Sequence, residues 1–324
     1  MREFDRPPSG GEIDEFVVKR VKAELESGIQ SRDILDILDE IWRVYSDEVI
    51  SKLLPEILKI NPHFLEDPNP IIRNQYPKVD TLPGKTEGEI TFEDIWKRSP
   101  YSEKERQILK NSIVGLAGFG GLQLAALILA RNGVGNFIIS DPDIFESTNA
   151  NRQALAFSHT LGKKKSVVGF EYLKAINSEV NIKVVDLAVA PENFSLLLGE
   201  ADVIVDATGD FQIRKAVHEF ARKAGKPIMT CAWAGWEGQI ATFIPGDPLY
   251  TEVFSYSPPS WDRGNDSAGI SIMSSIVARD VVRILLKDIG NIVSYPHIFT
   301  FNVLRKNPVQ IRNVREIKKR NERN

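Results

Sequence analysis

Cysteine is almost absent. Cys231 is the only one in 324 residues, so neither an intrachain disulfide nor a four-thiolate zinc site can form. Histidine is nearly as sparse, and His63, His159, His218 and His297 lack the spacing of metal ligands, so no chemistry is assigned to them. No apolar run approaches the ~20 residues of a membrane span. The polar start Met-Arg-Glu-Phe-Asp-Arg does not read as a signal peptide, so a cytoplasmic protein with no membrane partner is expected. An excess of charge of one sign is also missing. The 41 basic residues against 44 acidic ones leave no electrostatic footprint for nucleic acid, and small molecules or proteins are the expected partners. There is no internal repeat.

What is present centres on Ile113 to Lys165. A short apolar run ends at Gly118-Phe119-Gly120-Gly121, and Leu122 to Leu129 then carries apolar residues at helical spacing. Glycines at a strand-to-helix turn suit phosphate binding. Gly118 permits the tight turn, and Gly120 and Gly121 let backbone N–H groups approach an anion at the positive end of a helix. A second strand, Asn136 to Ile139, leads to Asp141, about 20 residues after Gly118, where such folds place an acid for a ribose hydroxyl. An ordinary tight turn would explain the glycines alone, and a dehydrogenase would need only the loop and the acid. Asn149, Arg152, Gln153 and Lys165 go further, since two cations and two amides aimed at one pocket suit a triphosphate whose charge is held during reaction.

The rest of the chain alternates. Helical spacing continues through Val168, Tyr172, Leu173 and Ile176, a strand follows at Val180 to Val185, and then come a helix near Glu192 to Leu198, a strand Asp202 to Val205, a helix Ile213 to Ala224 and a strand Pro227 to Cys231. Alternating strands and helices predict a doubly wound, mostly parallel Rossmann-like α/β sheet over about residues 100–313. Gln239 to Ile244 and Phe299 to Val303 read as later, antiparallel strands flanking an apolar helix from Ile270 to Leu286. Ser102-Glu103-Lys104-Glu105 is a capping box for a helix ahead of the first strand. Cys231, in a buried strand, reads as a small core hydrophobe. Trp233, Gly235 and Trp236, between two strands, form a turn whose aromatics read as core packing. Lys163 and Lys164 read as solvated, and Val314 to Asn324 as a frayed basic tail.

Ahead of this region, residues 11–59 hold three amphipathic helical patterns, with Ser31 and Ser46 as caps. From Pro62 to Gly88 prolines break every period. The domains expected are therefore a helical N-terminal domain and linker, 1–88, and a nucleotide-binding domain, 89–324.

The order Gly-x-Gly-Gly-Leu (Gly118 to Leu122), Asp-x-Asp (Asp141 to Asp143), Glu-x-x-Asn-x-x-Arg-Gln (Glu146 to Gln153) and Gly-x-x-Lys (Gly162 to Lys165) resembles the ThiF, MoeB and HesA family, relatives of ubiquitin-activating enzymes. The resemblance runs, with weaker matches, from about Arg98 to Phe301. It implies ATP-dependent adenylation of a carboxylate with release of pyrophosphate. In that reading Gly118, Gly120 and Gly121 cradle phosphate, Asp141 holds the ribose with Asp143 nearby, and Asn149, Arg152, Gln153 and Lys165 act on the triphosphate. It further implies a homodimer in which an arginine, here Arg98, reaches the partner's ATP. A solvated surface role for Arg98 stays open. The acceptor would be a ubiquitin-like carrier protein or a precursor peptide. Many relatives hold zinc through two Cys-x-x-Cys pairs or carry a cysteine in the loop before the last helix. Neither exists here, so zinc and a thioester step through Pro245 to Ala268 are not expected. Relatives end the fourth strand with Asp-x-Thr-Asp-Asn, whose second Asp binds Mg²⁺. Here Gly209 takes that place in Asp206-Ala207-Thr208-Gly209-Asp210, so Asp210 either binds the metal or only caps the next helix. A non-catalytic binding module of the same family and an NAD-dependent oxidoreductase remain as alternatives.

Overall fold

The chain divides into two units, Met1–Glu87 and Gly88–Asn324. The computed structural model describes residues 88–254 and 264–315, all in the second unit. The helical patterns at 11–59, most of the proline-rich stretch, His63, the centre of the Pro245 to Ala268 loop and the tail beyond 315 lie outside the described residues.

The described chain begins with two helices, α1 (Phe92–Trp96) and α2 (Glu103–Asn111). The capping box of α2 forms as its sequence predicts. Ser102 N–H donates to Glu105 Oε2 at 2.7 Å, and Glu105 N–H returns to Ser102 Oγ at 3.4 Å. Strand and helix then alternate through β1 (Ile113–Ala117), α3 (Gln123–Arg131), β2 (Asn136–Ser140), α4 (Lys165–Ile176), β3 (Asn181–Val185), α5 (Phe194–Leu198), β4 (Val203–Asp206), α6 (Phe211–Lys223) and β5 (Ile228–Ala234). After β5 come β6 (Glu237–Phe243), α7 (Tyr250–Val253), α8 (Ser267–Leu285), β7 (His297–Asn302) and β8 (Val309–Asn313).

These strands form one sheet in the order β3-β2-β1-β4-β5-β6-β7-β8. The first five are parallel, with Gly115 opposite Ile138 on one side and Ile204 on the other. β6, β7 and β8 run antiparallel. The fold is the expected doubly wound, Rossmann-like one. Central strands are apolar throughout because both faces are covered. One core, including Leu116, Leu129, Phe137, Leu173 and Val277, packs α3, α4 and α8 on one face; the other, including Phe194, Leu197, Ile204, Val217 and Tyr250, packs α5, α6 and α7. Each such side chain stabilises the fold by about 1.5–3 kcal/mol relative to exposure.

Four sequence expectations change. α5 begins at Phe194, with Asn193 at its N-cap, rather than near Glu192. β5 runs on through Ala234, so the Trp233 segment is a strand end in a hairpin whose turn residue, Gly235, has φ +61. Val314 belongs to the core and not to a frayed end: it is 4% exposed, and its N–H donates to Pro296 O. Lys164 is not simply solvated, because its Nζ donates to Pro142 O at 2.9 Å and pairs with Asp186 at 3.2 Å.

Candidate nucleotide site

The order of the sheet reverses between β1 and β4, where a doubly wound fold opens a crevice beyond the carboxyl ends of its strands. A cleft of about 830 Å³ lies there. Four segments build it: the loop after β1, the long connection from β2 to α4, the stretch after β3 at Ala188 and Val189, and the turn after β4. Gly118, at φ +85, makes the first turn, and its N–H donates to Ser140 O at 2.9 Å. A Cβ on Gly118 would stand 3.2 Å from the Ala207 carbonyl, so this position needs glycine for space as well as for φ.

Of the residues singled out from the sequence, Gly118, Gly120, Asp141, Asp143, Asn149, Arg152, Gln153, Lys165 and Asp210 line the cleft. Gly121 does not. It faces α8, where a Cβ would meet Ile270 at 3.7 Å. Arg98 is exposed in the stretch between α1 and α2, also outside the cleft.

Asp141 is 5% exposed, and both its oxygens accept backbone N–H groups, Oδ2 from Phe119 at 2.6 Å and Oδ1 from Asp143 at 2.9 Å. It thereby fixes the loop after β1 to the end of β2. Burial raises its carboxyl above the usual range, and the Lys165 charge and the two N–H groups offset only part of that rise. Each oxygen keeps acceptor capacity for a further hydroxyl.

Lys165 opens α4 with only 7% of its side chain exposed, and its Nζ lies 2.7 Å from Asp143 Oδ2. Asn149 caps its short 3₁₀ turn, with Oδ1 accepting the Glu146 N–H at 3.1 Å, which leaves the Nδ2 donors uncommitted among the described residues. Arg152 is steered by Nη1, which donates to Thr148 O at 2.7 Å and Asn151 Oδ1 at 3.0 Å. The result is a set of donors and cations that share one cleft with a buried carboxylate, an arrangement suited to a polyphosphate attached to a polyol.

A ThiF family model matches residues 96–324. The chain belongs to the ThiF family. Its sequence is 29% identical over 157 residues to the SAMP-activating enzyme E1 of Haloferax volcanii, a match covering 48% of this chain and 58% of that protein. It is 29% identical over 191 residues to the sulfur carrier protein adenylyltransferase of Thermus thermophilus, covering 55% of this chain and 70% of the other. The chain thus spans less than two thirds of the first of these relatives. Among solved structures, Escherichia coli MccB with ATP shares the fold at TM-score 0.58 and 21% identity, covering 65% of each chain.

Beneath the cleft, this ThiF domain buries a charge network that the sequence did not announce. Asp206, 0% exposed at the end of β4, receives four hydrogen bonds. Thr208 N–H (2.9 Å) and its hydroxyl reach Oδ1; Arg214 Nε (2.8 Å) and the Thr230 hydroxyl (3.0 Å) reach Oδ2. Four donors fill a carboxylate's acceptor capacity, so Asp206 is an anchor and not a ligand. Arg214 Nη2 also donates to Thr208 O at 2.6 Å and Cys231 O at 3.0 Å, tying the turn after β4 to β5. Burial works against the guanidinium charge, but Asp206 and Tyr250 hold its pKa above the usual value.

His218, 3% exposed, bonds through Nε2 to the Thr230 hydroxyl. That hydroxyl's hydrogen is given to Asp206, so Nε2 carries the imidazole proton. Burial lowers the His218 pKa to about 4. The one available signal was spacing on α6. Arg214, Val217, His218 and Ala221 fall on one helical stripe, and a charge on a buried stripe demands a partner.

Cys231 is buried and free, and burial raises its thiol pKa, as suits a core residue. Asp210 caps α6, with Oδ1 accepting the N–H of Gln212 at 2.7 Å and of Ile213 at 3.0 Å. Trp233 packs 5.9 Å from Phe301 and donates through Nε1 to Gly235 O, whereas Trp236 is 52% exposed; neither lines the cleft.

Proposed function

We propose that the chain uses ATP to adenylate a carboxylate, releasing pyrophosphate. The observation that carries this reading is the convergence of Asn149, Arg152, Gln153 and Lys165 with the glycine turn and Asp141 on one cleft at the switch point. A carboxylate oxygen attacks the α-phosphorus and forms the new P–O bond. The bond to the β-phosphate breaks, its electron pair leaves with pyrophosphate, and the acyl adenylate remains. No side chain has to be a nucleophile. Arg152, Lys165 and the two amides offset the charge growing on the leaving group, and Asp141 orients the ribose.

Magnesium would arrive with the nucleotide and help to neutralise its phosphates. It needs only one or two carboxylates beside phosphate and water oxygens. Asp210 and Asp143 both line the cleft and retain carboxylate oxygens for such a role, so the residues present fit it. Among the described residues no group of three or more His, Cys, Asp or Glu stands ready to hold a metal by itself.

The acceptor in this reading is the C-terminus of a ubiquitin-like carrier protein or of a peptide. Relatives named for SAMP activation and for a sulfur carrier protein support the first class, and the fold shared with MccB, solved with MccA, supports the second. The pairing of two copies through Arg98 is part of the same proposal. Sedimentation of a fully active monomer would remove it. No described helix is long and apolar enough to cross a membrane.

ATP–pyrophosphate exchange with candidate acceptors tests the reaction, with NAD titration as the control for the oxidoreductase alternative. Exchange that depends on an acceptor and on Mg²⁺ supports adenylation. Nucleotide binding without exchange for any acceptor would favour a binding module, a reading that the capping by Asp210 gives some ground.

A further inference from the structure

Gln123 opens α3 at the position where dinucleotide-binding loops place their third glycine, and it is 0% exposed. Two backbone groups of fixed polarity orient its carboxamide. The Leu155 N–H can only donate, and it meets Oε1 at 2.9 Å. The Phe119 carbonyl can only accept, and it meets Nε2 at 2.8 Å. The atom of Gln153 that Nε2 meets at 3.4 Å must therefore be an acceptor, Oε1.

This choice propagates. Gln153 is 7% exposed, and with Oε1 committed to Gln123 its Nε2 is the atom beside Gly120, 3.6 Å from where a Cβ on that glycine would stand. Gly120 and Gln153 both line the cleft, whereas Gln123 does not. The Nε2 hydrogens of Gln153 have no acceptor among the described residues. Rotation of that amide by half a turn would bring an oxygen to the same place and repel an anion.

We propose that Gln123 is a positioning residue which fixes the amide of Gln153 so that only N–H donors face a phosphate bound in the cleft. The inference rests on the nucleotide reading above and adds to it the group that sets the polarity of one wall. Carrying polarity from two backbone groups through two side chains is a task that an apolar residue at position 123 cannot perform.

Calorimetric titration of the full chain with ATP tests this, using wild type, Gln123→Leu, Gln153→Ala, the double variant and Gln153→Glu, each first checked for cooperative melting. Gln123→Leu is expected to weaken ATP about tenfold, the scale of a lost hydrogen bond to a charged group. In the Gln153→Ala background the same change should cost less than about twofold, because the effect runs through Gln153. Full additivity, or unchanged affinity in Gln123→Leu, would assign Gln123 to packing alone and overturn the inference. Should Gln123→Leu fail to fold, Gln153→Glu decides. It keeps the acceptor for Gln123 Nε2 but turns an oxygen to the cleft, so it should lose at least about tenfold in affinity, and wild-type affinity would overturn the inference. A wild type that binds no ATP would instead remove the nucleotide reading itself.

Discussion

Lys165 Nζ sits 2.7 Å from Asp143 Oδ2, and the two ends of the pair differ sharply, the lysine side chain being 7% exposed and the aspartate 65%. The lysine is held by packing at the start of α4, and the carboxylate is held mostly by the lysine. An arriving phosphate can therefore replace Asp143 without moving Lys165, and the displaced carboxylate returns to water at little cost. Lys165→Met should leave stability nearly unchanged, since the freed Asp143 stays solvated. It should weaken ATP by about 1.5–3 kcal/mol, the worth of a hydrogen bond to a charged group. Parallel melting and titration check both parts, and wild-type ATP affinity would take Lys165 out of the site.

Arg214→Met should behave in the opposite way. It leaves Asp206 fully buried without its counter-charge, and two backbone carbonyls lose a donor. The expected loss is about 3–5 kcal/mol, seen as a lower urea midpoint. Pairing the change with Asp206→Asn should recover part of it, because the uncompensated charge goes too. A loss below about 1 kcal/mol would mean that Thr208 and Thr230 satisfy Asp206 unaided.

The contrast between these two lysine- and arginine-centred sites explains what the sequence could reveal. Most of the cleft is built from consecutive segments after β1 and β2, so those residues appear as one ordered motif between Gly118 and Lys165. The alternation of β and α was equally plain, because strands covered on both faces read as unbroken apolar runs. The Asp206 network joins Asp206 and Thr208 at the end of β4 to Arg214 and His218 on α6 and Thr230 on β5, residues that no single motif brings together. β8 escaped notice for a related reason: Val309-Gln310-Ile311-Arg312-Asn313 is a half-exposed edge with too few apolar residues to mark a strand, and Ile311 is 58% exposed.

Acid should destabilise the fold through His218. Its pKa falls from an ordinary 6.5 to about 4 because burial disfavours the imidazolium, with Arg214 acting in the same direction and Asp206 against it. A depressed histidine binds fewer protons folded than unfolded, so its penalty is absent above about pH 6.5, grows as pH falls towards 4, and is constant below. The full effect is about 3 kcal/mol. His218→Gln keeps an amide donor for Thr230 and removes the titration. Denaturant midpoints between pH 7 and 4 should therefore fall less steeply in the variant, and parallel slopes would clear His218 of the acid limb.

Asp210 carries two candidate roles that one substitution can separate. Its Oδ1 already accepts two N–H groups at the start of α6, which any good N-cap residue can do, whereas a metal requires the charge. Asp210→Asn retains an acceptor in the same place, so stability should change by only a few tenths of a kcal/mol. If the carboxylate also serves Mg²⁺, the concentration of Mg²⁺ that half-saturates pyrophosphate exchange should rise about tenfold, equivalent to about 1.4 kcal/mol. Asp210→Ala supplies the other limb: it should lose about 1 kcal/mol of stability with the cap, along with the same shift in Mg²⁺ dependence. Exchange that keeps its wild-type Mg²⁺ requirement in Asp210→Asn would confine Asp210 to capping. The carboxylate to test next would then be Asp143, which Lys165 has only to release.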